Sequence, residues 1–312
     1  MSIRSACLVC RSSKLRPLGE KAGFAFVECA DCGHVFVTEP PADAAVDELY
    51  ERYSYDHYTL ANVEPFAFAT LAELCRGFAR HRRQGRLLDV GFGQGAMLAA
   101  ARDAGWEPHG IEASRLAVEQ AQKNGFVHAV HGDFTTHPYP DGHFDVITMF
   151  ELLEHLSDAH PFLERAARLL APGGLLYVTT PNGAGLSARV MGPRWSVMTP
   201  PEHIQLFTRA SLGHALADAG FAPTVNAEGF NPAELVHYLR HRHDAAARSL
   251  ANPLKPDTSA DALFDRNTTG FALNRRLSSS AAGRLVKRTA NATLRLARLG
   301  DTLKAWAVKP DG

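Results

Sequence analysis

The chain contains no run of about 18 consecutive apolar residues, so no membrane-spanning helix is expected. It lacks an excess of either charge: Lys and Arg number 33, and Asp and Glu number 33. That balance removes the electrostatic case for general nucleic-acid binding. The opening residues, "MSIRSACLVC", have no apolar core of the kind a secretory signal needs. A cytosolic protein with reduced thiols is therefore expected. Cysteine is scarce, five in 312 residues, yet four of the five stand in two close pairs. The remainder is ordinary: 46% hydrophobic and 21% charged residues suit a globular chain holding one large domain and a small one, or two modest domains.

The pattern along the chain divides into five stretches. Residues 1–40 are short and Cys-bearing and end at the breaker "EPP"; residues 41–85 hold an aromatic linker, "LYERYSYDHY", and then a helix over 65–83 with Leu71, Leu74 and Phe78 at helical spacing. From 86 to 229 short apolar strands alternate with helices. "RLLDV", "EPHGIE", "FVHAVHGD", "HFDVITMF", "GLLYVTT" and "APTVNAE" read as strands, with "APGG" as a turn. Helices are expected over 96–104, 114–123, 160–170 and "SLGHALADAG". Strand and helix in alternation imply a mostly parallel sheet covered on both faces. Residues 230–300 break the rhythm as a polar, basic, helical insertion, and "TLKAWAVK" within 301–312 reads as the last strand of the sheet.

"LLDVGFGQGAML" places Gly91, Gly93 and Gly95 where the first strand hands over to a helix. Glycines there let backbone amides face a ligand at the helix N-terminus. The spacing is G-x-G-x-G, which departs from the G-x-G-x-x-G of a dinucleotide site. Glu112 in "GIEAS" follows Gly91 by 21 positions, at the tip of the second strand, where a carboxylate can accept two ribose hydroxyls.

These motifs, with "HGDF", "FDVITMFELLEHLSD" and "LAPGGLLYVTTPN", resemble the class I S-adenosylmethionine-dependent methyltransferases over about residues 65–228. The resemblance implies an α/β fold with a Rossmann-like, mostly parallel seven-stranded sheet. It implies that Asp89 and the loop of Gly91, Gly93 and Gly95 hold the methionine part of S-adenosylmethionine and that Glu112 holds its ribose. Asp133 and Phe134 would meet the adenine, and Phe150 would close the pocket. Phe92 stands where such proteins often carry a small residue, which is accommodated if its side chain points away from the cofactor.

Methyl transfer from a sulfonium asks mostly for positioning, but a hydroxyl acceptor must also lose a proton. "ELLEHLSD" offers Glu151, Glu154 and His155; "WSVMTPPEHIQLFT" offers Trp195, Glu202 and His203. His155 and His203 are the candidate base and its alternative, with Glu154 beside the first. Each histidine also has a structural reading, as a partner of a backbone carbonyl or a shaper of its loop. Trp195 is expected to wall the pocket. The segments are similar to those of ubiquinone-type O-methyltransferases and of methyltransferases in sugar and polysaccharide pathways.

Cys7, Cys10, Cys29 and Cys32 form C-x2-C-x18-C-x2-C, the spacing of a closed four-thiolate site for structural Zn2+. A zinc-ribbon-like piece before the cofactor domain is similar to the front of sugar C-methyltransferases, although only about 80 residues follow the sixth strand here. The resemblance implies a small-molecule acceptor, a sugar or glycan precursor ahead of a quinone-type phenol, with O-, C- and N-transfer all open. Tyr53, Tyr55 and Tyr58 either line the acceptor pocket or belong to a packed linker. Residues 283–299 carry five basic residues and no acid and suit weak contact with a membrane surface, a face toward a phosphate-bearing acceptor, or a solvated face. Two other readings remain: a cofactor-binding scaffold without turnover, and a macromolecule methyltransferase docking through the Cys module. Neutral charge and the absence of an Asn-Pro-Pro-Tyr-type signature, where "FELLEH" stands, count against the second.

Overall fold

The computed structural model describes residues 3–41, 65–230 and 296–311, with the single positions 235, 238, 239 and 289 and the short stretch 292–294. The linker tyrosines, most of the insertion and most of 283–299 lie outside the described residues. The chain divides into two compact units. One comprises Met1–Pro41, Thr180–Leu212 and Val225–Lys304; the other comprises Ala42–Thr179, Gly213–Thr224 and Ala305–Gly312.

The second unit is built on alternation. Helix α1 (Pro65–Phe78) precedes β4 (Arg86–Val90), which follows three strands of the other unit. After it come α2 (Ala96–Asp103), β5 (Glu107–Glu112), α3 (Arg115–Lys123), β6 (Ala129–His131), β7 (Phe144–Phe150), α4 (His160–Leu169) and β8 (Leu170–Pro181). The chain goes on through α5 (Leu186–Met191), β9 (Gln205–Leu206), α6 (Arg209–Asp218), β10 (Ala222–Glu228) and β11 (Thr302–Val308). The seven-stranded sheet runs in the order β10-β11-β8-β7-β4-β5-β6. β4 pairs in parallel with β5 and β7, as do β5 with β6 and β7 with β8. β11 runs the other way along β8, since Gly173 N–H donates to the Lys309 carbonyl and Asn182 N–H to that of Asp301. The mostly parallel, Rossmann-like sheet expected from the sequence is present.

Its central strands read as unbroken apolar runs because both faces are covered. Leu87, Val146, Leu175 and Tyr177 are buried with Cys75 and Phe78 of α1 and Met97 and Ala101 of α2. A second cluster joins Phe92, Leu98, Ala117, Val118, Phe126 and Ala129. Cys75 is thus part of the core.

Asp145, wholly buried on β7, fixes the start of β4. Its Oδ2 accepts the backbone N–H of Arg83, Gln84 and Gly85 at 2.9, 2.7 and 2.6 Å. A carboxylate taking three amides at once holds the chain in one path between α1 and the sheet.

Several local expectations are corrected. The first helix ends at Phe78 and passes into a 3-10 turn over Ala79–His81 rather than running to 83. "FVHAVHGD" supplies only Ala129–His131 as strand, because Ala129 N–H closes a turn on Phe126. "APGG" is drawn into β8, and the register shift between Phe144 and Val146 absorbs it.

In the first unit, β1 (Leu15–Lys21), β2 (Phe24–Cys29) and β3 (Val35–Val37) form an antiparallel meander, and β3 pairs antiparallel with β9. The resulting sheet has the order β1-β2-β3-β9. Phe26, Val35, Val37, Met191, Met198, Ile204 and Leu206 make its core, and Trp195 is buried among them rather than walling a pocket. His34 is fully buried, with Phe36 and Phe207 rings 5.5 and 4.7 Å away, and it meets Gln205 Oε1 through Nε2 at 3.1 Å. Burial pushes its pKa down to about 3, so it packs as a neutral ring.

Asp145→Ala should cost about 2–4 kcal/mol, because three amides lose a buried acceptor together. Urea unfolding followed by circular dichroism would measure it; a loss under about 0.5 kcal/mol, the scale of an ordinary surface change, would remove Asp145 as the anchor of β4.

Candidate functional site

The candidate site stands at the carboxyl ends of β4, β5 and β7. Gly91, Gly93 and Gly95 all adopt left-handed backbone, with φ of 70°, 47° and 75°. A side chain would be strained at each of the three. At Gly91 a Cβ would also come within 3.3 Å of Leu152 Cδ1; at Gly93 it would meet nothing within 4 Å. The loop is therefore tight on its inner side and open at its middle. Gly91 N–H continues the ladder onto the Ile111 carbonyl at 2.9 Å. Gly95 is the N-cap of α2, and no side chain caps that helix. Its first-turn amides suit an anionic group brought to the loop.

Phe92 answers the departure noted in the sequence. Its ring turns inward and is buried with Leu98 and Ala99. It occupies the space where Gly110, the partner of Asp89 in the β4–β5 register, has no side chain. A Cβ on Gly110 would lie 2.6 Å from Phe92 Cδ1.

Glu112 ends β5 half-buried. Its Oε2 accepts Gly93 N–H and its Oε1 accepts Ser114 N–H, both at 3.0 Å. Two backbone bonds fix the carboxylate and leave further lone pairs on each oxygen for hydroxyl donors. Ser114 in turn caps α3 by accepting Ala117 N–H at 3.4 Å.

Asp89, buried two residues before Gly91, accepts the Thr148 hydroxyl at 2.6 Å. Burial pushes its pKa up to about 7, against the opposing hydrogen bond from Thr148. Asp133 is exposed and binds its own turn: Oδ1 accepts Thr135 N–H and its hydroxyl, each at 2.8 Å. Phe134 is buried, its ring 5.6 Å from that of Phe162. Phe150 is half-buried at the end of β7, 5.6 Å from the Tyr177 ring.

Past β7 the backbone is strained. Glu151, exposed, has φ of 46°, and its N–H donates to the Thr179 carbonyl at 2.9 Å. Such a conformation in a non-glycine residue costs of order 1–3 kcal/mol and tends to occur where function fixes the chain. A 3-10 turn over Leu153–His155 follows; Glu154 is fully buried and His155 half-buried. In the other unit, His203 is half-buried and donates from Nδ1 to the Val197 carbonyl at 2.6 Å, which sets its tautomer. Sequence reasoning did not single out Thr148, Ser114 or Leu152: hydrogen bonding and packing define them, and neither follows a period.

The four cysteines converge as the spacing required. Their sulfurs lie within 4.8 Å of one another, with Cys7–Cys32 at 3.6 Å and Cys10–Cys29 at 3.5 Å. Zinc–sulfur bonds of about 2.3 Å in a tetrahedron need sulfurs about 3.8 Å apart, so the donor set fits that ion. Each pair sits on a turn, closed by Arg11 N–H on the Cys7 carbonyl and by Gly33 N–H on that of Cys29. The hydrogen bond from Cys32 pulls the Cys7 thiol down to about 5, while the Cys32 thiol is driven up.

A family model described as a methyltransferase domain matches residues 62–227. A ubiquinone biosynthesis O-methyltransferase of Chelativorans sp. is 31% identical over 146 residues, which is 43% of this chain and 58% of that protein. The 27-O-demethylrifamycin SV methyltransferase of Amycolatopsis mediterranei is 34% identical over 136 residues, 39% of this chain and 49% of that protein. The chain thus spans about half the length of these curated relatives. Among solved structures, a SAM dependent methyltransferase from Archaeoglobus fulgidus aligns at 15% identity and TM-score 0.49, over 78% of this chain and 94% of that one.

Asp89 yields a test by pH. A carboxyl that keeps its proton in the fold up to about 7, and loses it at ordinary acidic pH once unfolded, makes stability fall as pH rises through that window. Asp89→Asn should flatten this part of the profile when melting temperature is followed against pH; an unchanged slope would assign it to other groups.

Proposed function

We propose, from the premise that this chain belongs to the methyltransferase domain family, that it transfers a methyl group from S-adenosylmethionine to a small polar acceptor. The observation that carries the reading is the left-handed loop of Gly91, Gly93 and Gly95 tied to a Glu112 carboxylate by Gly93 N–H. That arrangement brings a turn free of side chains at its glycines, the first-turn amides of α2 and a fixed acceptor pair to one strand-to-helix connection. Asp89 and the loop would hold the methionine end, Glu112 the ribose hydroxyls, and Asp133 with Phe134 the adenine end. Phe150, at the end of β7, would close the pocket. The cofactor supplies an activated methyl group on a cationic sulfur. The protein's part is to bind, align the acceptor and keep water out.

The acceptor atom is read as a hydroxyl oxygen. The similarity to proteins named as O-methyltransferases supports this, as does a histidine on the turn directly after β7. His155 would take the hydroxyl proton, with Glu154 beside it in the chain, and His203 is the alternative base. A sugar or glycan precursor is proposed ahead of a quinone-type phenol, on the strength of the four-cysteine module. That module would hold one Zn2+ through Cys7, Cys10, Cys29 and Cys32 in a closed, structural site.

Calorimetric titration should give micromolar binding of S-adenosylmethionine and S-adenosylhomocysteine. Glu112→Ala should weaken both by about 2–4 kcal/mol, or roughly 30- to 1000-fold, through the loss of charge-assisted bonds. Absence of binding by folded protein would leave the chain a scaffold. Methyl transfer from labelled cofactor to a panel of sugars and phenols would then identify the acceptor.

Metal analysis after desalting should return one zinc per chain. Cys10→Ser should lose that zinc and lower the melting temperature by several degrees. Full zinc retention in the variant would exclude the four-thiolate site.

A further inference from the structure

At the amino-terminal edge of the seven-stranded sheet three ligating side chains meet outside the site described above. Glu107 and His109 stand two apart on β5 and so share one face of the strand. His128 lies just before β6, which pairs in parallel with β5. Glu107 Oε1 is 2.9 Å from His109 Nε2 and 3.8 Å from His128 Nε2, and one donor atom from each residue lies within 4.8 Å of the others. The two imidazoles stack at 4.4 Å with 17° between their planes.

We propose that Glu107, His109 and His128 form a binding site for a divalent transition-metal ion, Zn2+ in the first instance. Two imidazoles and a carboxylate are the donor set of a three-ligand zinc site with one position left to water. Bonds of about 2.0–2.1 Å in a tetrahedron place donor atoms about 3.3 Å apart, between the two distances observed from Glu107. His109 is the fixed ligand: its side chain is 10% exposed and its ring is held edge-on by Phe144 at 5.2 Å. Glu107 and His128 are each 48% exposed at the side chain, so the His128 ring is free to turn out of its stack on His109 to bring both nitrogens onto an ion that enters from solvent. Burial first, with His128 and His143 adding repulsion, holds the His109 pKa below the ordinary imidazole value despite the bond to Glu107.

The neighbours bear on strength. Arg86 is the one cation facing the cluster among the described residues, with its Nε 4.0 Å from Glu107 Oε2. Its Nη1 is 3.3 Å from His143 Nδ1 and 2.9 Å from Gln84 Oε1. The His143 ring stands 5.8 Å from His109, edge-on, as an outer neighbour. A guanidinium at that range weakens a cation site without blocking it, which suits micromolar rather than tighter affinity. Glycine loop and cluster stand at opposite ends of the strands: β4 runs from Arg86, paired with Glu107, to Val90, which leads into Gly91.

The test uses the whole 312-residue chain, first saturated with zinc to fill the proposed four-cysteine site and then desalted. Calorimetric titration with ZnCl2 near neutral pH should show one additional ion of micromolar affinity. NiCl2 should also bind, while MgCl2, which prefers an all-oxygen shell, should give no heat. His128→Ala and Glu107→Gln change exposed side chains and should fold normally by circular dichroism. Each should weaken the additional ion at least about tenfold. Arg86→Gln should tighten it several-fold, an effect no mere packing role would produce. His160→Ala, outside the cluster, is the control and should leave the affinity unchanged. No additional ion, or one that His128→Ala and Glu107→Gln retain at full affinity, overturns the proposal.

Discussion

The site rests on a steric exchange between two adjacent parallel strands. Gly110 has no side chain, so the Phe92 ring can fold into the sheet beside Asp89's register partner and leave the outer side of the loop to backbone alone. With Phe92 buried, Gly91, Gly93 and Gly95 carry the turn in left-handed backbone with no side chain of their own in the way. The Gly93 amide then meets Glu112 at the tip of the neighbouring strand. Loop and carboxylate are one rigid assembly because the same register aligns them.

Around that assembly the protein uses buried carboxylates in two different ways. Asp145 is placed where three backbone amides can take its charge, and it anchors the chain's entry into β4. Asp89 has one strong donor, Thr148, and burial raises its pKa. The two lie at opposite ends of the central strands. Near the glycine turn a buried carboxyl is left with a raised pKa; at the far end one whose Oδ2 takes three amides provides rigidity.

Much of this was legible locally. β5 and β10 have the bounds that "EPHGIE" and "APTVNAE" suggested, and β11 differs by one residue from "TLKAWAVK". The glycine spacing, the distance to Glu112 and the Cys pairs are all short-range patterns. What escaped were contacts between distant segments. β9 is two residues long and pairs with β3, about 170 positions earlier, so no period could announce it. Trp195, expected to wall a pocket, is taken into the meander's core instead. His34, which no sequence pattern marked, is a neutral packing ring beside Phe36 and Phe207.

The sequence by itself determined the alternation of strands and helices, the open loop at Gly91–Gly95 and the four-thiolate spacing. Each follows from local sterics or from hydrophobic period, which a single segment carries alone. The tertiary structure decided which way Phe92 turns, that Thr148 meets Asp89, that "APGG" joins β8 and that His128 comes to Glu107 and His109. Those outcomes depend on strand register and on the packing of residues far apart in the chain, and a pattern read along one segment holds no term for either.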